Sequence, residues 1–171
     1  AAPASCLPPR RSPPSGSAVD SSAGTRSSFG ANRLMPATWS AAELARIDGS
    51  DELQIAVRSR DETLRRWVPI WVVCVGDQVY VRTWHRRDNG WFGRVLESRR
   101  AQIRVPGLDA AVAVLDVGSD EDAEPRAGVD AAYRAKYGRY GSTTVDRMVN
   151  DDAAATTLRL NPEHAAPAGA A

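Results

Sequence analysis

Lysine is almost missing from this chain: Lys136 is the only one among 22 basic residues, and the rest are arginine. That bias reads as a coding preference rather than a functional signal. Cysteine is scarce too, with two in 171 residues. Cys6 lies in a Pro/Ser-rich stretch and Cys74 inside an apolar run. No disulfide framework and no metal-ligand spacing can be built from them. A cysteine within an apolar strand acts as a small hydrophobe. Histidine is equally rare, at His85 and His164. No G-x-G-x-x-G, phosphate-binding loop, nucleophile elbow or H-E-x-x-H is present. No apolar run approaches the roughly 18 residues that a membrane-spanning helix needs. Residues 1–20 show no apolar signal-peptide core. A soluble, cytoplasmic, reducing setting is the expectation.

What is present is a pair of apolar runs. Trp67 to Val75 reads WVPIWVVCV, and Gln78 to Trp84 reads QVYVRTW, with Gly76-Asp77 between them. The first run is apolar at nearly every position, as in a strand covered on both faces. Gly-Asp is a two-residue hairpin signal, because glycine supplies the positive φ of a primed turn. The second run alternates, with Val79, Val81 and Thr83 on one face and Tyr80, Arg82 and Trp84 on the other. Pro69 argues for an edge position or a bulge.

The rest of the chain arranges itself around this hairpin. Residues 1–34 are Ala, Pro, Ser and Gly with scattered Arg and no apolar period. Such a segment cannot offset the entropy of ordering. The expected organisation is a disordered extension over 1–37, one domain over 38–162 and a disordered tail over 163–171. Ser40 and Glu43 form a capping box for a helix over 41–47, with Trp39 and Leu44 as its hydrophobic staple. Gly49 marks its end. Leu53, Ile55 and Val57 alternate as a strand, and Arg60-Asp61-Glu62 makes a polar turn. HRRDNG (His85 to Gly90) is a charged loop before a helix over 90–98. Strands follow at 101–105 and 111–117, joined by a type II turn at Pro106-Gly107. Ser119 to Glu124 is an acidic loop. Pro125 opens a helix that carries Tyr133, Tyr137 and Tyr140 on one face and runs to Gly141. The tyrosines read as packing against the sheet. A short helix over 144–150, capped by Thr143, and a closing strand over 157–160 complete the order. The pattern is mainly β with helices (α+β), a small antiparallel β-barrel with helices packed on it and not a doubly wound sheet.

Net charge is only +1, but residues 58–104 hold eleven Arg against five acids, and residues 105–171 hold six bases against eleven. A basic sheet region suggests either an anionic ligand or a solvated face paired with acidic helices. Arg65, Arg66, Arg82, Thr83, Arg86 and Arg87 cluster before the helix start at Gly90. Arginine forks, a hydroxyl and free helix N–H groups are what a phosphate site requires. Trp84 and Trp91 are suited to covering a flat ring. His85 is the one histidine placed where a titrating group could act, although a lone histidine in a loop is more often a solvated surface residue.

RRWVPIWVV, VGDQVYVRTW, the GWF helix start, AYRAKYGRY and TTLRLNP together resemble a bacterial family, domain of unknown function 2255, over about Thr38 to Pro162. That family is grouped with the FMN-binding split barrels, which include pyridoxamine-phosphate-oxidase-like proteins and deazaflavin-dependent reductases. The resemblance implies a six-stranded split barrel, often a homodimer with cofactor at the subunit interface. It places Arg66, Thr83 and Arg86 or Arg87 around the cofactor phosphate. This sequence departs from those relatives in having Trp84 where many have Asn, arginines where lysine is usual, and no Gly-Gly or Ser-Arg-Lys sequence.

Three functions are open at this point. The first is a barrel that binds FMN or a deazaflavin and acts as an oxidoreductase on a small electrophile. The second is a binding or dimerisation module without cofactor. The third is a nucleic-acid binder using the basic 82–104 stretch, against which the modest net charge counts. No membrane partner is expected. The composition shift at Met35 also predicts that residues 1–34 are dispensable and represent an upstream extension of the reading frame. A chain beginning at Met35 should melt within a few degrees of the full one; a large loss of stability or solubility would refute this.

Overall fold

The computed structural model describes residues 37–83, 90–119 and 126–163. The readings above for residues 1–36, for Trp84 and the His85–Asn89 part of the charged loop, for Asp120 to Pro125 and for the tail from His164 lie outside them. The first helix, α1 (Ala41–Asp48), starts where its sequence says it should. Ser40 Oγ accepts the Glu43 N–H and the Glu43 carboxylate accepts the Ser40 N–H, so two orphan donors are satisfied at once. Trp39 is buried, and its indole N–H donates to the Leu160 carbonyl at 2.9 Å, which ties the helix start to the far end of the chain. Gly49 ends α1, but in a right-handed conformation rather than the left-handed one expected of such a glycine.

The strands are β1 (Glu52–Val57), β2 (Val68–Val75), β3 (Gln78–Val81), β4 (Arg100–Val105), β5 (Leu108–Asp116) and β6 (Leu158–Pro162). They form a closed antiparallel barrel in the order β1-β2-β3-β6-β5-β4, with β1 against β4 closing the ring. The barrel and its α+β class match the sequence reading. α2 (Gly90–Ser98) falls between β3 and β4. α3 (Arg126–Tyr137), one 3-10 turn (Gly138–Tyr140), α4 (Ser142–Val149) and α5 (Asp151–Ala154) fall between β5 and β6.

Alternation along β2 and β3 builds two cores. Val72 joins the barrel interior with Leu53, Ile55, Val79, Val81, Ile103 and Leu160. Val73 and Tyr80 face outward into a second cluster with Val129, Tyr133, Tyr137, Val145 and Met148 of the helices. β2 is therefore covered on both faces, which is why its sequence shows no polar alternation. The turn between β2 and β3 has Gly76 at φ +60°, as the two-residue hairpin demands. Gly107 at φ +78° meets the type II requirement, and the Arg46 guanidinium lies where its Cβ would be. Cys74 is half-buried within β2, and burial pushes its thiol up to about 11.

Several boundaries differ from the sequence reading. The tyrosine helix stops at Tyr137, since Gly138 follows and weakens helix continuation. Tyr140 consequently sits in the 3-10 turn and is 48% exposed, while Tyr133 and Tyr137 are buried. α4 starts at Ser142 behind Gly141 at φ +100°, with no side-chain cap, rather than at Thr144 behind Thr143. α5, capped by Asn150 Oδ1 accepting the Ala153 N–H, has no counterpart in the sequence reading.

The tyrosine face packs against the barrel, as read. The Tyr137 ring stacks on Trp71 with centroids 4.1 Å apart and planes 1° from parallel. β1 ends its pairing with β2 at Glu52 and Trp71. Beyond Trp71 that edge of β2 has no strand partner among the described residues, and α3 provides a substitute. Tyr137 Oη accepts the Val72 N–H at 2.9 Å and donates to the Asp51 carbonyl at 2.7 Å. Lys136 Nζ donates to the Val72 carbonyl at 2.9 Å. The single lysine thus completes a sheet edge, a role that composition could not reveal. Burial holds its pKa below the usual lysine value, with Asp48 opposing that shift. Truncating Tyr137 to Ala should cost about 3–5 kcal/mol for the lost ring. Tyr137→Phe should cost about 1–3 kcal/mol, because a buried N–H loses its acceptor. Chemical denaturation of both variants measures this; equal stability of Tyr137→Phe and wild type would show that the sheet edge does not need the hydroxyl.

Candidate functional site

β2 serves two neighbours in succession. Its first half, Val68 to Trp71, pairs with β1, and its second half, Val72 to Val75, pairs with β3. β3 ends at Val81, opposite Val72. Among the described residues, the first half of β2 therefore has no strand on its β3 side. Pro69 sits in this half, which resolves the conflict its presence raised: it occupies a local edge, where a missing N–H breaks no bond to β3.

The chain leaves β3 through Arg82 and Thr83. A cleft of about 380 Å³ opens between them and the free edge of β2. It is lined by Glu52, Val68, Pro69, Ile70, Trp71, Arg82, Thr83, Trp91 and Met148. Two indoles and three aliphatic residues make the walls mainly apolar. Trp91, in the first turn of α2, is half-buried and meets the Phe92 ring edge-on at 5.8 Å.

Arg82 closes the inner end. It follows Tyr80 on the outward face, so it enters the layer between barrel and helices, and its side chain is 0% exposed. Nε donates to Thr157 Oγ1 at 2.9 Å, and Nη1 donates to Asp130 and to the Met148 carbonyl. The guanidinium lies 5.5 Å from the centre of the Tyr133 ring. Nη2 is buried with no hydrogen-bond partner among the described residues. Thr83 is buried, its N–H donating to Thr156 Oγ1 and its carbonyl accepting from the same hydroxyl.

Of the residues singled out in the sequence, the cleft gathers Arg82, Thr83 and Trp91. Arg66 is exposed on the connection before β2 and does not line it. Trp84, Arg86 and Arg87 lie outside the described residues. The residues missed were Glu52, Pro69, Trp71 and Met148 in the walls, and Asp130, Thr156 and Thr157 around Arg82. One signal for Asp130 was available: it precedes Tyr133 and Tyr137 by three and seven positions, on the same face of α3. No cluster of His, Cys, Asp and Glu able to hold a metal occurs among the described residues. No helix among them is long and apolar enough to cross a membrane.

A guanidinium without solvent depends on its counterion. Asp130→Ala leaves Arg82 buried and unpaired, so it should destabilise the fold by about 3–5 kcal/mol. Asp130→Glu, which keeps the charge, should recover part of that. Urea denaturation of the two variants decides; equal stability of Asp130→Ala and wild type would show that the pair holds nothing together.

Among solved structures, similarity extends to a conserved hypothetical protein, Rv2991, from Mycobacterium tuberculosis. It shares 13% identity over 74% of this chain and 81% of that one, with a TM-score of 0.46. A candidate 5-nitroimidazole antibiotic resistance protein from Bacteroides thetaiotaomicron shares 11% identity over 70% of this chain and 77% of that one, with a TM-score of 0.44. No curated protein matches the chain. A family model described as an uncharacterised protein conserved in bacteria (DUF2255) matches residues 43–160, from within the first helix into the last strand, and the chain belongs to that family.

Proposed function

We propose that this barrel binds a flat, phosphate-bearing heterocycle of the flavin or deazaflavin type in the cleft beside β2. The observation that carries the proposal is the free edge of Val68 to Trp71 facing Thr83 and Trp91 across about 380 Å³. A flat ring fits these walls: Trp91 offers an aromatic face, and Val68 and Ile70 offer apolar contact. The phosphate end would fall to Thr83 with Arg86 and Arg87, and Trp84 would cover the ring. Arg66 belongs to the same proposal only if it reaches the ligand from outside the cleft lining.

A bound flavin or deazaflavin would supply hydride transfer to a small electrophile. The residues of the chain would exclude water from the ring, orient it against the β2 edge and neutralise its anionic end. A homodimer in the cytoplasm is part of this reading. The runner-up, a barrel without cofactor, draws support from Arg82, whose partners Thr157, Asp130 and Met148 give it a structural task.

Isothermal titration with FMN and with a deazaflavin coenzyme tests the proposal. Trp91→Ala should weaken binding by about 1–3 kcal/mol, the worth of one stacking contact. Thr83→Val should weaken binding of the phosphorylated cofactor but not of its dephosphorylated form. Arg66→Ala decides whether that side chain takes part. If the wild type binds neither cofactor at about 100 μM, a generous threshold for a working site, the barrel functions without cofactor.

A further inference from the structure

The basic block at 58–104 is not evenly neutralised. Arg58 pairs with Glu62, Arg82 with Asp130, Arg100 with Glu62 and Glu163, and Arg104 with Asp109. Arg60, Arg65, Arg66, Arg94 and Arg99 are exposed and make no salt bridge to a carboxylate among the described residues. These five fall on two segments only: the β1–β2 connection, and α2 with the residue that follows it. α2 packs against β1, so the two segments meet at one end of the barrel.

They enclose a depression of about 340 Å³, separate from the cleft. Val57, Ser59, Arg60, Asp61, Arg65, Arg94, Glu97 and Ser98 line it, and this lining shares no residue with that of the cleft. The backbone here is shaped into a tight turn. Glu62 N–H donates to the Ser59 carbonyl and Ser59 N–H to the Thr63 carbonyl, with Glu62 at φ +64°. Arg65 Nε donates to Ser59 Oγ at 3.0 Å, which holds that guanidinium over the turn.

Two acids share the lining, and both, being ionised, oppose an anion. Asp61 is occupied: its carboxylate accepts the Thr63 hydroxyl at 2.7 Å and the Thr63 N–H at 3.2 Å. Those bonds, with a smaller contribution from Arg65, hold its pKa below the ordinary carboxylate value. Glu97 is exposed at the rim and opposes an anion, as do the carbonyls at the α2 C-terminus. Three arginine forks against these groups leave a positive depression, with Arg66 and Arg99 adding charge at its margin.

We infer that this depression is a second binding site and that it takes a phosphate group, of the monoester or pyrophosphate kind carried by a small molecule. Guanidinium forks match phosphate oxygens in pairs, which ammonium groups do not. The volume admits a pyrophosphate-sized group and its nearest substituent. The site is independent of the cleft and of any cofactor there.

Isothermal titration of the full chain with inorganic pyrophosphate, at low ionic strength, tests the inference. Wild type should bind in the range of about 1 mM or tighter. Arg60→Ala with Arg94→Ala should weaken binding at least about tenfold, the worth of one charge-assisted contact. Glu97→Gln should tighten it. All of these residues are exposed, so the variants should keep the wild-type melting temperature. Trp91→Ala should leave pyrophosphate binding unchanged, which separates this site from the cleft. A single-stranded oligonucleotide without terminal phosphate serves as the second arm. Binding of that strand with pyrophosphate silent would overturn the small-molecule assignment in favour of a nucleic-acid backbone. Silence in both arms, or equal pyrophosphate affinity in wild type and the double arginine variant, would overturn the site itself.

Discussion

A guanidinium that has lost all contact with water must be neutralised and hydrogen-bonded by the protein around it. Arg82 imposes that constraint here. It stands just past the end of β3, and its bonds reach α3 through Asp130, α4 through Met148 and the start of β6 through Thr157. Each of those elements is distant in sequence and has to arrive in register for the charge to be tolerated. The helical layer is therefore positioned relative to the barrel by one polar centre as well as by apolar packing. Thr83, the next residue, is fixed by the same assembly, because Thr156 holds both its N–H and its carbonyl. The inner end of the cleft is thus held on both residues by hydrogen bonds from the helical layer and the approach to β6.

A second constraint acts on β2, whose two halves pair with different neighbours. Main-chain groups must be paired wherever they are buried. On the β1 side, the strand beyond Trp71 is completed by Tyr137 and Lys136 from α3. On the β3 side, the strand before Val72 has no strand partner among the described residues; the Trp71 carbonyl accepts the Tyr133 hydroxyl at 3.4 Å, and Pro69 reduces what else needs pairing. The two edges of one strand thus have opposite fates. One is sealed by a helix and stabilises the fold; the other faces a cleft between two indoles. The Trp71 ring takes part in both, stacked on Tyr137 and lining the cleft.

The electrostatics follow the same division. Pairing consumes the arginines that point at acidic neighbours across the sheet, as between Arg104 and Asp109 on β4 and β5. Among the described residues of 58–104, the charge left over lies at the end of the barrel where α2 finishes and the β1–β2 connection turns. A chain with a net charge of only +1 can therefore carry a concentrated positive surface. Apolar cleft and basic depression lie toward opposite ends of α2, with Trp91 in one lining and Arg94, Glu97 and Ser98 in the other.

Local chemistry settled much of this protein in advance. The Ser40–Glu43 box, the Gly76-Asp77 hairpin, the α2 span and the inward and outward faces of β3 depend on residues within a few positions of one another. Their physics is complete in the sequence, and the structure agrees with it. The alternation of Tyr80, Val81 and Arg82 put Arg82 on the same face as Tyr80, and the structure shows that face to be the outward one. Gly49 ends α1 but in a right-handed conformation, and α3 ends at Tyr137 because Gly138 weakens the helix that the tyrosine spacing would continue. The tertiary structure alone decided where the cleft opens beside the closed barrel, since this depends on β1 and β3 ending at different heights along β2. It alone decided which arginines are spent on ion pairs, because Asp130 and Glu163 come from far along the chain. It turned Arg82 from a candidate ligand contact into a buried structural centre, and gave the single lysine a sheet edge to complete. Such outcomes require long-range partners to be brought within hydrogen-bonding distance, and no local pattern contains that information.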